Sequence, residues 1–409
     1  MTARLFGALA LSAIGAFANV PVVTVIGLFA IGLELVRMTW ARRGLNGVRY
    51  SRELATQRVN WGDLIEMKIE VWNRKRLPLA WLRAVEDVST GVLLRRTPLA
   101  VDSRILNLDN TWTLAPYERV LRRVWIGADE RGYHSVGPIR LSVGDLFGRE
   151  VASLETDSVI PFIVWPRVVP APGIARPDRW GDLDRARAGL LDDPARFAGV
   201  RPYSPGDPLR RVHARTSARV GRPITKRFEP SREREFLLAL DIQTAGGSRW
   251  EIAAPDSQDV ETLFVIAASV VRRLDAEGAA LGLTAAGFTR TTKRFADVPV
   301  GRGAHHADRL LDVLARLTPY PSASFGSVLG RIPWRFGQTT TVIVLTMRSP
   351  QAYLGEMRVL RRAGYGVVVL SCGRSAAHDA VLTRRAGFSA RAVQLDGPWQ
   401  TATELAAAA

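Results

Sequence analysis

An apolar stretch near the N-terminus constrains this chain more than any other feature. Between Leu5 and Trp40 the only charged residues are Glu34 and Arg37. A single helix of this length would measure about 54 Å, whereas the hydrocarbon core of a bilayer is about 30 Å thick. Turn-forming residues at Asn19–Pro21 lie near the midpoint. The stretch therefore predicts a membrane hairpin over residues 1–43, with helices at about 3–18 and 22–40.

Basic residues flank this hairpin at both ends. Arg4 lies at the start of the first helix, Arg42 and Arg43 follow the second, and the connecting turn is uncharged. The positive-inside rule then predicts two spans of the cell membrane with both termini in the cytoplasm. The segment Ala16–Ala18 also resembles a signal-peptide cleavage site. Cleavage there would leave the second helix as an anchor and would place the rest of the chain outside the cell.

The net charge, the cysteine content and the absence of catalytic motifs limit which partners and reactions are compatible with the sequence. The formal net charge is +17, from 56 Lys and Arg against 39 Asp and Glu, which favours anionic lipid, nucleic acid or an acidic protein surface. The single cysteine, Cys372, excludes internal disulfides and cysteine-based zinc clusters. The sequence lacks a P-loop, a His-Glu-x-x-His motif and a Gly-x-Ser-x-Gly motif. It therefore predicts a protein that is not an enzyme, with an unrecognised hydrolase as an alternative.

Strict alternation of apolar and charged side chains follows the hairpin, from Ile65 to Val71. This period of two is typical of a strand with one buried face. Similar runs separated by glycine-rich turns continue to about residue 150, and no long amphipathic helix interrupts them. The pattern predicts a β-sandwich domain over residues 46–165. Its further strands are predicted at 79–85, 104–108, 119–126 and 139–143.

Strands and helices alternate in the last part of the chain. The proline-rich run Pro166–Pro177 predicts a linker, which we assign to residues 166–198. The alternation beyond it predicts a doubly wound α/β domain with a mainly parallel sheet over residues 199–409. Strands are predicted at 236–240, 279–284, 340–346, 366–371 and 391–395, and helices at 260–274, 308–317, 354–362 and 376–385. Sites in such sheets lie at the carboxyl ends of strands, which here indicates Asp241 and Thr346.

The segment from Gly199 to Pro230 carries the densest signal. Ser204–Gly206 predicts a tight turn, and Asp207 followed by a proline predicts a helix from 208 to about 218. Between Arg201 and Arg227 there are eight basic residues and one acid. The cluster is either a binding surface for an anionic partner or a solvated face. The partner-binding candidates are Arg201, Tyr203, Gly206, Asp207, Arg210, Arg211, Arg215 and Arg219.

These residues resemble the signature of bacterial membrane proteins that carry the domain of unknown function 58. The matching positions are Gly199, Arg201, Tyr203, Pro205–Asp207, Arg210, Thr216–Arg219, Lys226, Glu229 and Asp241. A second set in the predicted β-domain is also similar to the family: Pro116–Tyr117, Arg131–Tyr133, Gly137–Pro138 and Asp145–Gly148. His213 stands where the family usually has tryptophan. The resemblance implies a transmembrane hairpin, a β-sandwich and a von Willebrand factor A-like domain.

The resemblance also implies partners. Proteins of this family are commonly associated with MoxR-type AAA+ ATPases, so it implies a membrane scaffold that docks such an ATPase or its client, with other membrane subunits. A membrane-bound binder of anionic lipid or nucleic acid is the alternative. Von Willebrand A domains often bind Mg²⁺ through Asp-x-Ser-x-Ser, but here Gln243 and Ala245 follow Asp241 in place of the serines. The site is therefore degenerate, and we expect no cofactor.

Overall fold

A computed structural model describes residues 3–89, 92–95, 107–145, 148–172, 174, 192–204, 207, 211–230, 235–244, 257–289, 294–337 and 340–408. The chain divides into two compact units, Met1–Trp165 and Pro166–Ala409. The boundary lies where the sequence predicts the linker to begin.

Two apolar helices open the first unit and pack against each other. They are α1 (Ala3–Phe17) and α2 (Pro21–Arg43). Asn19 adopts a positive φ of 53° in the turn between them, a conformation that asparagine tolerates better than most residues. Residues Pro21–Thr39 of α2 are long and apolar enough to cross a membrane. With 15 residues, α1 spans only about 22 Å and is too short to cross a bilayer core without distortion.

Two antiparallel-rich sheets form the rest of this unit. Their strands are β1 (Val48–Leu54), β2 (Arg58–Asn60), β3 (Leu64–Asn73), β4 (Leu79–Val88), β5 (Val92–Arg95), β6 (Asn107–Leu114), β7 (Arg119–Ala128), β8 (Gly132–Gly144), β9 (Glu150–Thr156) and β10 (Ile160–Trp165). One sheet has the order β1-β3-β7-β5 and the other β2-β10-β8-β4-β6, with β9 paired to β8.

The core of this unit lies between the two sheets. Ile65, Met67, Ile69 and Val71 of β3 are buried, as their alternation predicts, and they belong to one apolar cluster with side chains of β4, β7, β8 and β10. The strand predicted at 104–108 is described only in part. Residues 104–106 lie outside the described residues, and the strand runs from Asn107 to Leu114.

The second unit begins with a hairpin and continues with alternating strands and helices. Its strands are β11 (Asp192–Pro202), β12 (Ile224–Pro230), β13 (Glu235–Leu240), β14 (Ala280–Ala286), β15 (Phe295–Gly301), β16 (Thr341–Thr346), β17 (Gly366–Ser371), β18 (Ser389–Leu395) and β19 (Leu405–Ala408). Its α-helices are α3 (Ala214–Val220), α4 (Ser257–Ala276), α5 (Ala304–Arg316), α6 (Phe325–Arg335), α7 (Leu354–Arg362) and α8 (Ala376–Arg385).

A seven-stranded sheet with the order β15-β14-β13-β16-β17-β18-β19 organises this unit. Its five inner strands are parallel, and β15 and β19 pair antiparallel at the edges. Every residue of β14 and β16 is buried, so both faces of the sheet are covered. Side chains of α6, α7 and α8 form one apolar cluster with alternate residues of the strands. Helices α4 and α5 pack against each other and against β14 on the other face.

The structure corrects several predictions for this unit. The segment assigned to a linker contains the start of β11, which pairs with β12 from Asp192 onwards. The strand at 391–395 is not the last, because β19 follows it and pairs with it. Helix α6 was missed, although Phe325, Val328, Leu329 and Ile332 have the spacing of a buried helical face. Pro333 near its end and the serines and glycines around it obscure that pattern.

Candidate functional site

The signature segment forms a hairpin, β11–β12, with α3 inserted between its strands. The predicted helix from 208 to 218 is wrong in its position, because α3 runs from Ala214 to Val220. Val212 instead makes an antiparallel bridge with Thr225, and His213 caps the helix by accepting the Thr216 N–H at Nδ1, at 3.2 Å. Gly221 ends it with a positive φ of 71°. Residues 208–210, the start of the predicted helix, lie outside the described residues.

Asp207 holds the turn together rather than capping a helix. Its Oδ1 accepts a hydrogen bond from Arg201 Nη2 at 2.6 Å, and its Oδ2 accepts the Ser204 N–H at 3.0 Å and the Thr225 hydroxyl at 3.3 Å. The Ser204 N–H and the Arg201 guanidinium lower the pKa of Asp207. Tyr203 is tied to the same turn through its N–H, which donates to the Pro223 carbonyl at 3.0 Å. The Asp207 carboxylate is therefore held by three donors and stays ionised at neutral pH.

The candidate arginines divide into two groups. Arg201 is committed to Asp207, and Arg211 precedes α3 and is half-buried. Arg215 and Arg219 lie one turn apart on α3 and are exposed. The spacing of four between Arg211, Arg215 and Arg219 predicts one shared helical face, but Arg211 lies before the helix and is not part of that face. Gly206 and Arg210 lie outside the described residues. The pair of Arg215 and Arg219 is therefore the part of α3 that an anionic partner could reach.

A second cluster lies at the carboxyl ends of β13 and β16. These strands are neighbours, and the chain leaves β13 for β14 on one side and returns to β16 on the other. In open α/β sheets ligands bind at such a change of direction. Asp241 follows β13 and is 2% exposed. Thr346 ends β16 and donates its hydroxyl to Asp241 Oδ2 at 2.9 Å. The two residues that the end-of-strand rule indicates are therefore in contact.

Arg348 occupies the position in front of this carboxylate. Its Nη2 lies 3.2 Å from Asp241 Oδ1 and 3.1 Å from Oδ2, and its Nε lies 3.2 Å from Oδ2. Tyr353 adds a hydroxyl at 3.3 Å from Oδ2, and its ring lies under the guanidinium at 5.2 Å. Burial raises the pKa of Asp241 to about 6, although Arg348 and Thr346 act in the opposite direction. The sequence alone did not indicate the role of Tyr353.

This donor set does not fit a divalent cation. Both carboxylate oxygens of Asp241 accept hydrogen bonds from a guanidinium that already supplies the positive charge. Mg²⁺ requires several oxygen ligands at about 2.1 Å, and Ala245 offers none from its side chain. Among the residues that the structure describes, no group of three or more His, Cys, Asp or Glu side chains could hold a metal ion. Nearby Cys372 is buried, and burial raises the pKa of its thiol, which disfavours the nucleophilic thiolate.

Comparison with known proteins identifies the family of this region. Residues 199–344 match the family described as "Protein of unknown function DUF58". The match contains the hairpin, α3 and the strands around Asp241, so it confirms the family that the signature residues indicate. The chain is similar to the uncharacterized protein YeaD of Bacillus subtilis (strain 168), with 23% identity over 275 residues. That alignment covers 66% of this chain and 63% of the relative, which is less than two thirds of its length.

Solved structures resemble smaller parts of the chain. A CARDB domain from Pyrococcus furiosus covers 29% of this chain with 13% identity and a TM-score of 0.20. Salmonella alpha-2-macroglobulin covers 31% of this chain and 7% of its own length, with 18% identity and a TM-score of 0.22. At these scores neither similarity carries a conclusion about function.

Proposed function

We propose that the chain is a membrane-anchored scaffold on which a MoxR-type AAA+ ATPase, or the client of such an ATPase, docks. The observation that carries the proposal is the combination of an apolar span at one end with a charged, hydrogen-bonded signature hairpin in the other unit. Asp207 accepts hydrogen bonds from Arg201, Ser204 and Thr225, and Arg215 and Arg219 of α3 in the same hairpin are exposed. A surface of this kind suits recognition by charge, which favours rapid encounter with an acidic partner and rejects basic ones.

The buried ion pair between Asp241 and Arg348 supports a role without catalysis. A general acid or nucleophile must reach substrate, whereas Asp241 is buried and covered by the Arg348 guanidinium. We propose that the α/β unit is a von Willebrand A-like, doubly wound domain in which this ion pair replaces a metal. The strand order and the helices on both faces support that interpretation.

For the anchor we propose two spans with both termini in the cytoplasm. The contact between α1 and α2 supports a hairpin, and the arginines at its ends support the orientation. The short α1 would require local thinning of the bilayer. In this arrangement a cytoplasmic ATPase can reach the signature hairpin.

Charge reversal on α3 tests the docking proposal. Arg215→Glu combined with Arg219→Glu is expected to reduce recovery of an AAA+ ATPase with the full chain from gently solubilised membranes by at least about tenfold, as expected when like charges replace complementary ones. The matched control is Arg302→Glu with Arg309→Glu, two exposed arginines just before and on α5, which changes the net charge equally and should leave recovery unchanged. An equal loss with both pairs, or no ATPase with the unchanged chain, would refute docking at α3.

A further inference from the structure

The three helices on one face of the α/β sheet carry a surface of one sign. Helices α6, α7 and α8 together contain seven arginines and two acidic residues. One of these acids, Asp379, is buried and accepts a hydrogen bond from Ser375, so it does not reach the surface. Helices α4 and α5 on the other face contain four arginines and five acidic residues. The positive charge is therefore concentrated on one helical layer.

Most of this charge faces solvent. Arg358 and Arg362 of α7 and Arg384 and Arg385 of α8 are exposed, and none of them pairs with an acidic residue among those that the structure describes. On α6, Arg331 binds Asp297 at 3.0 Å, and the more exposed Arg335 lies 3.7 Å from the same carboxylate. Arg361 donates to the Gly387 carbonyl at 2.7 Å. Arg358, Arg362, Arg384 and Arg385 are therefore the arginines of the layer that an external anion can reach.

Apolar side chains are exposed within the same layer. Trp334, in the last turn of α6, is 87% exposed, and Val359 of α7 and Val381 of α8 are 57% and 38% exposed. Burial of an indole is favourable, and an almost fully exposed indole gains this stabilisation only when a membrane or another molecule covers it. Tryptophan beside arginine is typical of side chains that lie at the headgroup level of membranes. Exposed tryptophan and arginine also occur in protein–protein interfaces. We favour a lipid surface over a protein partner because the chain carries its own membrane anchor.

We infer that the outer surface of α6, α7 and α8 binds the anionic headgroups of the membrane that holds the chain, with Trp334 inserted at the interface. The inference rests on the proposed membrane attachment through α2, because a tethered domain meets the lipid surface at a high effective concentration. Arginines near an anionic leaflet are attracted within a Debye length, and an aromatic side chain adds burial that electrostatics alone does not provide. The proposed contact with lipid requires no additional protein.

A fluorophore on the layer tests the inference in the full chain. The chain has one cysteine, so Val359→Cys in a Cys372→Ala background gives a single labelling position that keeps Trp334 and every arginine. The chain labelled with a polarity-sensitive dye is reconstituted into vesicles of phosphatidylcholine alone, or with about one third phosphatidylglycerol. With the anionic lipid we expect a blue shift and a fall of about threefold in quenching by iodide, as a position moves into the interface.

Two controls make the result specific. Ala276→Cys at the exposed end of α4 labels the other face and should give the same signal in both vesicles. Trp334→Ser with Arg358→Gln and Arg362→Gln should abolish the shift at position 359, and so should high salt, which screens the arginines. An equal signal at position 359 in both lipids, or protection that appears only when another protein is added, would overturn the inference.

Failure of the anchor is measured separately on the same samples. Alkaline carbonate releases peripheral proteins and leaves spanning helices in the bilayer. If carbonate extracts the chain while position 359 still responds to phosphatidylglycerol, the proposed anchor is wrong and the lipid-binding layer stands. If the chain resists extraction but position 359 does not respond, the layer does not bind lipid and the anchor stands.

Discussion

Replacing Arg348 with methionine is expected to destabilise the α/β unit by about 3–5 kcal/mol, because it leaves the Asp241 carboxylate buried without its counter-charge. Methionine keeps much of the apolar volume of the arginine stem, so the loss reports on charge rather than on a cavity. Native-state hydrogen exchange of the β13 and β16 amides measures this in the full chain. Those amides should exchange roughly two to four orders of magnitude faster.

The pH dependence of this loss has a defined sign. Burial raises the folded-state pKa of Asp241 to about 6, while an unfolded aspartate titrates near ~4. Asp241 therefore binds a proton more tightly in the folded chain than in the unfolded chain. Its contribution to the free energy of unfolding is present below about pH 4 and is lost as the pH rises through about 6. Removing Arg348 raises this pKa further, since the guanidinium lowers it. Arg348→Met should accordingly be more damaging at about pH 8 than at about pH 5.

Two variants serve as controls. Arg358→Met removes an exposed arginine of α7 and should change stability by less than about 0.5 kcal/mol. Asp241→Asn in the Arg348→Met background removes the buried charge, so it should restore much of the lost stability and flatten the pH dependence. If Arg348→Met behaves like Arg358→Met at every pH, the ion pair does not stabilise the unit.

The second large effect is expected in the anchor. Leu28 and Phe29 lie near the middle of α2 and are 58% and 73% exposed, so nothing in their own unit buries them. An arginine at the centre of a membrane helix costs about 2.5–3.5 kcal/mol in insertion. Leu28→Arg with Phe29→Arg should move most of the chain from the carbonate-resistant membrane fraction to the soluble fraction or to aggregates.

The matched control keeps the position and changes only the chemistry. Leu28→Phe with Phe29→Leu exchanges two apolar side chains and should leave the membrane fraction unchanged. Full retention of the double arginine variant after carbonate extraction would contradict a spanning α2. Release of the control variant as well would show that packing at these positions, and not lipid, retains the chain.

Local sequence patterns correctly predicted those elements in which the spacing of apolar residues matches the face that is buried in the fold. The alternation at Ile65–Val71 gave β3 because one face of that strand lies in the core. Helices α7 and α8 and strand β17 have the predicted bounds, since each has an apolar face and clear ends. The end-of-strand rule correctly brought Asp241 and Thr346 together, because parallel strands present their carboxyl ends at one edge.

The failures arise where distant contacts override local preference. Asp207 followed by proline has the local chemistry of a helix start, but its carboxylate binds Arg201 and Ser204 before it. It also binds Thr225, which becomes a neighbour only when β11 pairs with β12. Strand β11 lies in a segment that reads as a linker for the same reason. The pairing of Asp241 with Arg348 depends on the turn after β16, which no spacing rule describes.

Site-specific photo-crosslinking in living cells tests the scaffold proposal most directly. A photo-reactive amino acid replaces Arg215 in the full chain, and the same residue at position 276, on the exposed end of α4, is the control. We predict that the crosslinked product from position 215 in the membrane fraction contains an AAA+ ATPase, and that position 276 gives none. Crosslinks from position 215 only to lipid, to nucleic acid or to no macromolecule, in cells that contain such an ATPase, would contradict a docking role for this hairpin.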